Sequence, residues 1–389
     1  MSLRFIHTAD WQIGKPFAGI EDDFKRSLVQ QERIAALGRI AEAAREQGAE
    51  FILAAGDLFD SPTPTQSMVS ATCAAIGKMR VPVFAIPGNH DHAGPGSLWE
   101  QAFFKEEQSS LAPNFQIITE PKAIELEHAV IYACPLQRRA ESGDTTAWLR
   151  LPETLDAAGD KVRIVLAHGS VQSFREDLGD EDDFSTATNH IDLNRLDPTR
   201  IDYVALGDWH GTKQISAQAW YSGTPEIDRF PKGSENNPGN ILAATLDGGG
   251  AARVEVLKTG RLGWHRHERM LVDDSDVATL RTEVEVLIGQ RAQEDLLRLE
   301  ISGTLGIHST TELEGLIDTL SSRLLRLKYY DRTVLAPSDA EVLALTQRAG
   351  DPLIASVARQ LVARATAGDD IARIALRELH ANCPTSLRP

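Results

Sequence analysis

Long apolar runs and cysteine are both scarce in this sequence, and their scarcity argues against two classes of protein. No apolar run approaches the roughly 20 residues that a membrane-spanning helix needs. The chain begins with a strand-like segment and shows no secretion-signal pattern. Its three cysteines, Cys73, Cys134 and Cys383, are far apart and form no CxxC pair, which is typical of reduced residues in a cytoplasmic protein. We therefore expect a cytoplasmic protein that neither spans a membrane nor depends on disulfide bonds.

An excess of basic charge is also missing. The chain has 40 basic and 56 acidic residues, which gives a formal net charge of −16. A protein that holds nucleic acid through charge usually presents a basic face. Any such face must be local here, or a partner must supply it. The balance argues against an autonomous, tight DNA-binding protein, but not against an enzyme that meets a phosphate through bound metal ions.

The length of 389 residues exceeds what one core usually organises, so we expect two or three domains. The alternation of strand and helix signals changes character near Arg261, and Pro337 marks a second break. We therefore predict domains at 1–260, 261–336 and 337–389. Hydrophobic residues make up 42% and charged residues 25%, as in ordinary globular proteins, and no internal repeat is evident.

Strand and helix signals alternate through the first predicted domain. The segments 3–7, 50–55 and 81–86 are typical of buried strands, and helical periodicity covers 22–47 and 65–79. This order predicts a layered α/β core. Further buried strands are predicted at 162–167 and 201–206. The region 261–336 predicts a small α+β domain, and 338–382 predicts helix with breaks at Gly350 and Gly368.

Five of the predicted strands end in polar residues that can bind a metal ion. These residues are Asp10 with Gln12, Asp57, Asn89 with His90, His168, and Asp208 with His210. In open α/β sheets, ligands bind at the carboxyl ends of strands. Oxygen and imidazole groups without a thiolate suit Mn²⁺, Mg²⁺, Fe or Zn²⁺. Apart from Gly88-Asn89-His90-Asp91-His92, which is a strong signal by itself, each motif alone is weak. All five in this order predict a two-metal site that hydrolyses phosphate esters.

The motifs also carry a family resemblance. They are HTADWQIG at 7–14, AAGDLFDSPTP at 54–64, IPGNHDH at 86–92, VALGDWHG at 204–211 and YSGTPE at 221–226. The set resembles the calcineurin-like metallophosphoesterases, and within them the SbcD-type and YhaO-type DNA repair nuclease subunits. The resemblance implies a layered α/β/β/α core of two packed mixed sheets, a small α+β capping domain and a helical C-terminal tail.

The resemblance further implies the ligands of two divalent metal ions. One ion would be held by Asp10, Gln12, Asp57 and His210, and the other by Asp57, Asn89, His168 and Asp208, with Asp57 bridging them. His90 would be the catalytic histidine. Asp60 would orient His90. Alternatively, Asp91 would fix the loop that carries His90.

Three further residues are candidates for contact with substrate. His92 follows the catalytic motif, and Lys213 and Arg229 lie near the last ligand motif in the sequence. A structural role for His92 and simple solvation of Lys213 and Arg229 remain the alternatives.

Gln12 and Asp208 depart from the family pattern, which has histidine at both positions. Each change replaces a nitrogen ligand with an oxygen ligand, which favours Mn²⁺ or Mg²⁺ over Zn²⁺. A neutral amide is also a weaker ligand than imidazole, so the Gln12 ion is expected to be held less tightly.

We expect a DNA exonuclease or endonuclease subunit that forms a homodimer and works with an SMC-like coiled-coil ATPase. Metal-activated hydroxide would attack phosphorus, and His90 would protonate the leaving oxygen. One alternative is a phosphodiesterase or phosphatase for nucleotides or other small molecules, which the acidic balance favours. Another is an attenuated subunit that binds DNA ends or regulates an ATPase, which Gln12 and Asp208 suggest.

Overall fold

A computed structural model describes residues 2–171, 188–230, 236–247, 252–273, 275–289, 291–335, 339–348 and 350–382. Cys383 and Pro337 lie outside these residues. The chain divides into two compact units, Met1–Leu262 and Gly263–Pro389, and each is described by itself. A separate domain at 337–389 stays a prediction. In the described part of the chain, no helix has the length and apolarity to cross a membrane.

The first unit alternates strands and helices as the sequence predicts. Its elements are β1 (Leu3–Thr8), α1 (Asp23–Gln47), β2 (Phe51–Ala55), α2 (Gln66–Gly77), β3 (Val83–Ile86), α3 (Ala102–Leu111), β4 (Phe115–Ile117), β5 (Lys122–Glu125), β6 (Ala129–Cys134), α4 (Pro152–Asp156), β7 (Val162–His168), β8 (Ser170–Val171), β9 (His190–Ile191), β10 (Tyr203–Gly207), β11 (Lys213–Gln214), β12 (Ala219–Tyr221), β13 (Asn240–Leu246) and β14 (Arg253–Lys258).

Two six-stranded mixed sheets form the centre of this unit, with strand orders β14-β13-β1-β2-β3-β4 and β11-β12-β10-β7-β6-β5. The strands β1, β2 and β3 are parallel, as are β7 and β10. The carboxyl ends of each parallel set therefore lie at one edge of their sheet, which is the arrangement that a site at strand ends requires.

The two sheets pack face to face, and helices cover their outer faces. Phe5 of β1 stacks on Phe51 of β2, and its edge meets Tyr203 of the second sheet, with ring centroids 5.2 Å apart in both pairs. The next residue, Ile6, points to the opposite face and packs with Leu37 of α1. Every residue of β1 except Arg4 is buried, so both faces of the strand pack against other elements. The fold class is the predicted mixed α/β core of two packed mixed sheets.

The helix α1 agrees with the predicted segment 22–47 to within one residue, and both of its ends are capped. The Asp22 carboxylate accepts hydrogen bonds from the backbone N–H groups of Phe24 and Lys25, and Gly48 ends the helix in a left-handed conformation with φ 62°. Two aromatic residues at and just before α3 belong to the core. Trp99 and Phe104 are buried, and their rings meet edge to face in the core.

His7 lies at the junction of the two sheets and is completely buried. One ring nitrogen donates to the carbonyl of Leu206 at 3.1 Å, and the other accepts from the Tyr203 hydroxyl at 3.0 Å. Burial lowers the pKa of His7 to about 3, although the bond to Leu206 acts in the opposite direction. The ring is therefore neutral in the folded protein.

We predict that acid destabilises the fold through His7. The unfolded chain takes up a proton near pH 6.5, whereas the folded chain does so only near pH 3. Stability is therefore lost as the pH falls from 6.5, by about 2 kcal/mol at pH 5 from this residue. In urea unfolding with EDTA, the free energy of unfolding should fall less between pH 7 and pH 5 in His7→Gln than in the wild type. The partly exposed His128→Gln is the control, and a His7→Gln slope equal to wild type would refute the assignment.

The second unit contains a three-stranded parallel sheet and five helices among its described residues. Its elements are β15 (Gly263–Leu271), α5 (Asp276–Ile288), β16 (Asp295–Leu305), α6 (Ile307–Arg323), β17 (Arg326–Leu335), α7 (Asp339–Thr346), α8 (Pro352–Thr366) and α9 (Asp370–Asn382). Leucines and isoleucines of α5 and α6 pack on one face of the sheet. The predicted helix breaks at Gly350 and Gly368 are confirmed, since these residues separate α7, α8 and α9.

Candidate metal centre

Strand ends from both sheets meet in one buried cluster. Asp10 follows β1, Asp57 follows β2, and His168 ends β7 of the other sheet. Each offers one ligand atom, and these three atoms lie within 4.8 Å of one another. All three side chains are at most 2% exposed. Such buried, mutually close polar groups are expensive unless they are paired or hold a cation.

The backbone at the site is held in conformations that only glycine adopts easily. Asp10, Gln12, Asp57 and Asp208 have φ values of 53°, 48°, 54° and 106°. A left-handed conformation costs about 1–2 kcal/mol for a residue with a side chain. Hydrogen bonds between the loops help to maintain it, because the N–H of Asp10 donates to Gly56 at 3.0 Å and that of Gln12 to Asp57 at 2.9 Å. Strained backbone is therefore concentrated at the predicted ligands.

The glycines of two motifs allow the loops to approach each other. A Cβ atom on Gly88 would lie 2.2 Å from the Asp57 carboxylate, and one on Gly56 would lie 2.3 Å from the His168 ring. Neither neighbour is a flexible surface chain. The glycines of GNHDH and GDLFD are thus required by packing at the site itself.

Asp57 lies at the centre of the cluster. One carboxylate oxygen accepts a hydrogen bond from the backbone N–H of His90 at 2.9 Å, and the other accepts from the Gln12 amide at 3.0 Å. The first oxygen is also 3.6 Å from Nε2 of His168. Asp57 therefore contacts three of the other predicted loops, as expected for a bridging ligand.

His168 turns one ring nitrogen toward the cluster. Its Nδ1 must donate to the carbonyl of Ala55 at 2.7 Å, which leaves Nε2 facing the amide oxygen of Asn89 at 2.8 Å. Burial acts to lower the pKa of His168, but the carboxylates of Asp57, Asp10 and Asp208 outweigh it and raise the pKa to about 9. Without another cation, the ring is the counter-charge of these carboxylates.

The carboxylates of the cluster disfavour one another's charge. Burial raises the pKa of Asp10 well above its usual value; His168 opposes this, and nearby Asp57 and Asp208 add to it. Both oxygens of Asp10 accept from the backbone N–H of Asp208 at 3.2 Å. A divalent cation stabilises such a set of anionic oxygens, and its binding requires them deprotonated.

Gln12 presents an unused oxygen to the site. Its amide nitrogen donates to Asp57, which can only accept, and this fixes the orientation of the amide. The other end, Oε1, is buried and has no hydrogen-bond partner among the described residues. An unpaired buried acceptor costs about 1–3 kcal/mol. The donor set therefore fits a hard divalent cation, which takes oxygen ligands.

Asp208 and His210 follow β10 and are oriented by residues outside the predicted set. The Ser170 hydroxyl donates to Asp208 at 2.6 Å, and the other Asp208 oxygen is 3.9 Å from Nε2 of His168. Nδ1 of His210 is 2.9 Å from the carboxylate of Asp228. Asp208 thus lies beside the cluster, and a carboxylate orients His210, as is common for metal-binding imidazole.

Asp228 contacts the predicted ligand His210, and the sequence motifs did not predict this role. It is buried and is approached by Lys15 at 2.7 Å and Arg229 at 3.4 Å as well as by His210. Burial acts to raise the pKa of Asp228, but these three neighbours hold it well below its usual range. Burial lowers the pKa of His210 to about 4 against the opposing effect of Asp228. The only sequence signal was its position, two residues after the YSGTPE motif.

His90 lies at the accessible side of the cluster, and its side chain is 33% exposed. Its Nδ1 donates to the backbone carbonyl of Asp60 at 2.9 Å, and its Nε2 is 4.0 Å from Asp57. Asp60 therefore orients His90, as the resemblance implies, and the group that does so is its main-chain carbonyl.

Asp91 fixes the loop, as one of the two alternatives proposed. One oxygen accepts from the N–H groups of Leu58 and Phe59 at 2.8 and 3.1 Å, and the other accepts from Gly88 at 2.7 Å. Burial raises the pKa of Asp91 to about 7, with a further contribution from the charge of Asp57. This carboxylate ties the GDLFD loop to the GNHDH loop.

The three candidate substrate contacts lie outside the cluster. His92 accepts from the N–H of Gly94 at 3.4 Å, and the Lys213 ammonium lies 5.9 Å from the centre of the Trp209 ring. Arg229 approaches Asp228 and His210, and its side chain is 41% exposed. Their contact with substrate stays a prediction.

Comparison with known proteins agrees with the site. The chain is similar to two solved structures: TT1561 of Thermus thermophilus (12% identity, 67% of this chain and 100% of that chain, TM-score 0.41) and GAP50, the anchor in the inner membrane complex of Plasmodium (13% identity, 66% and 85%, TM-score 0.39). Likeness at this level does not bear on function. The family model for the calcineurin-like phosphoesterases matches residues 3–212, just over half of the chain. This chain belongs to the calcineurin-like phosphoesterase family, whose members are metal-dependent hydrolases of phosphoester bonds.

Proposed function

We propose that this chain is a DNA exonuclease or endonuclease, the hydrolytic subunit of an SbcCD-like repair complex. The observation that supports it most is the buried cluster of Asp10, Asp57 and His168 at the ends of strands from both sheets. The motifs around these residues resemble the DNA repair branch of the family. The acidic charge of the chain is compatible with this function if metal ions supply the contact with phosphate.

The residues that would hold two divalent ions follow the resemblance. One set is Asp10, Gln12, Asp57 and His210, and the other is Asp57, Asn89, His168 and Asp208. Bound there, the ions would supply positive charge against the phosphate oxygens and acidify a water molecule. The oxygen atoms contributed by Gln12 and Asp208 favour Mn²⁺ or Mg²⁺ over Zn²⁺.

The chain's own groups orient the site and move the proton. The carbonyl of Asp60 holds Nδ1 of His90 in its protonated form, so Nε2 is the nitrogen that exchanges a proton. Because His90 is partly exposed, Nε2 is placed to protonate the leaving oxygen of a phosphodiester. Asp91 keeps this loop against the Asp57 loop, and Asp228 keeps His210 in one orientation.

A nucleotide phosphodiesterase is the second candidate function, and the net charge of −16 favours it. The test is a Mn²⁺-dependent assay of the purified chain on end-labelled DNA hairpins, linear duplexes and free nucleotides. We expect cleavage of DNA with little turnover of nucleotides. Brisk turnover of nucleotides without DNA cleavage would establish the second function. DNA-end binding without any hydrolysis would indicate the attenuated regulatory subunit.

We also propose the partners and location that the resemblance implies. In the C-terminal helices, the apolar side chains Leu353, Ile371 and Ile374 are 78%, 74% and 55% exposed, and we propose that a coiled-coil ATPase covers them. A homodimer is proposed on the resemblance alone. Cys73 and Cys134 are buried free thiols, which is compatible with a cytoplasmic protein.

A further inference from the structure

Arg33 is a buried cation next to the metal centre, and neither the motifs nor the resemblance drew attention to it. It lies in the middle of α1 and is 1% exposed. No carboxylate among the described residues lies at ion-pair distance from it. Burial lowers the pKa of Arg33, and the charges of Asp228 and Glu226 oppose this most strongly. An arginine in this position is costly unless its hydrogen bonds are satisfied.

The guanidinium is satisfied by five hydrogen bonds to two loops. The acceptors are the carbonyls of Trp11 (2.8 Å), Gln12 (3.1 Å), Asp10 (3.2 Å) and Glu226 (3.0 Å) and the hydroxyl of Thr224 (2.9 Å). Four of the five are main-chain oxygens. Arg33 therefore acts on the path of the backbone and not on any one charged side chain.

The first of these loops carries two predicted ligands. Asp10 and Gln12 both have left-handed backbone, which is unfavourable without support. Arg33 binds the carbonyls of residues 10, 11 and 12 in succession, so it holds the backbone of this loop in place. Because the backbone sets the direction of a side chain, this also sets where the Asp10 carboxylate and the Gln12 amide point.

The second loop supports the third ligand of the same ion. The N–H of Thr224 donates to the carbonyl of His210 at 3.0 Å, so the segment held by Arg33 is bonded directly to His210. By contrast, the described contacts of Arg33 include none with Asn89, His168 or Asp208.

We propose that Arg33 is a positioning residue for one of the two ions, the one that Asp10, Gln12 and His210 share with Asp57. This inference rests on the proposed two-metal site. The planar guanidinium spreads its donors widely enough to join two loops, whereas a lysine ammonium places its three donors on one atom. Arg33→Lys keeps the charge but cannot span the five acceptors.

The test compares Mn²⁺ binding to the EDTA-treated wild type and Arg33→Lys by titration calorimetry. We expect one of two Mn²⁺ sites to weaken by about 10–100-fold, the usual effect of losing a residue that orients metal ligands. The other site should keep its affinity. Arg45→Lys, on the same helix and 72% exposed, is the control and should match the wild type. Circular dichroism and thermal melting verify folding.

A second variant assigns the affected site. Asn89→Ala removes a ligand of the other ion, so it should lower the affinity of the site that Arg33→Lys leaves intact. The double variant Arg33→Lys, Asn89→Ala should then bind Mn²⁺ more weakly than the wild type at both sites. If Arg33→Lys does not fold, Thr224→Val removes a single acceptor and should weaken the same site several-fold.

The outcomes separate this inference from the proposed function. Two wild-type affinities in folded Arg33→Lys, or equal weakening of both sites, would overturn the positioning role alone. A wild-type chain that binds no Mn²⁺ would overturn the two-metal function, and the inference with it.

Discussion

Asp57→Asn is expected to lower kcat for Mn²⁺-dependent hydrolysis of bis-p-nitrophenyl phosphate by about 10³-fold or more. The change keeps the size of the side chain and removes its charge at the centre of the cluster. It also places an amide where Gln12 and the N–H of His90 both need an acceptor. One amide oxygen cannot replace two carboxylate oxygens, so both ions should bind less tightly.

The measurement is kcat and kcat/KM at saturating Mn²⁺, together with the number of ions bound. Asp23→Asn is the matched control, because its carboxylate is 88% exposed on α1, away from the cluster. Activity of Asp57→Asn within tenfold of the wild type, with both ions bound, would exclude a bridging role for Asp57.

The second large effect is expected for His90→Gln. The loss of kcat in this variant should depend on the leaving group of the substrate. If Nε2 of His90 protonates the leaving oxygen, its loss costs about 10²–10⁴-fold for a phosphodiester whose leaving group is a sugar hydroxyl. The nitrophenolate of bis-p-nitrophenyl phosphate leaves without a proton, so the loss there should be much smaller. Glutamine retains a donor for the Asp60 carbonyl, so the loop should stay in place.

The test is the ratio of kcat for the two substrates in His90→Gln and the wild type. His128→Gln, which replaces a histidine away from the cluster, should leave the ratio unchanged. Equal losses on both substrates would show that His90 acts on binding or loop structure and not as the proton donor.

The sequence predicted much of the fold because the signals involved are local. The helical periodicity of α1 and the strands that lead to Asp57 and His168 each depend on a few neighbouring residues. The closeness of Asp10 and Asp57 followed from one topological rule, that parallel strands end at the same edge of a sheet. His168 joins them from the other sheet, so its place in the cluster depends on how the two sheets pack. The element bounds differ by a few residues, as at α2, which covers Gln66–Gly77 where the sequence predicted helix at 65–79.

What the sequence did not reveal depends on contacts between distant residues or on main-chain atoms. Asp228 orients His210 from 18 residues away, and Arg33 contacts Thr224 across 191 residues. The role of Asp60 falls to a carbonyl, which every residue has, so its identity carries no signal. Arg33 interrupts the apolar face of α1 between Val29 and Leu37. This charge at an apolar position was the only sequence signal for its role.

We propose that the five strand ends form the site of a two-metal phosphoester hydrolase. The most direct measurement adds Mn²⁺ stepwise to EDTA-treated protein and follows bound metal and turnover of bis-p-nitrophenyl phosphate together. We predict no turnover in the stripped protein and activity that rises to a plateau as the second ion per chain binds. Turnover in the stripped protein, or two bound ions without turnover, would contradict it.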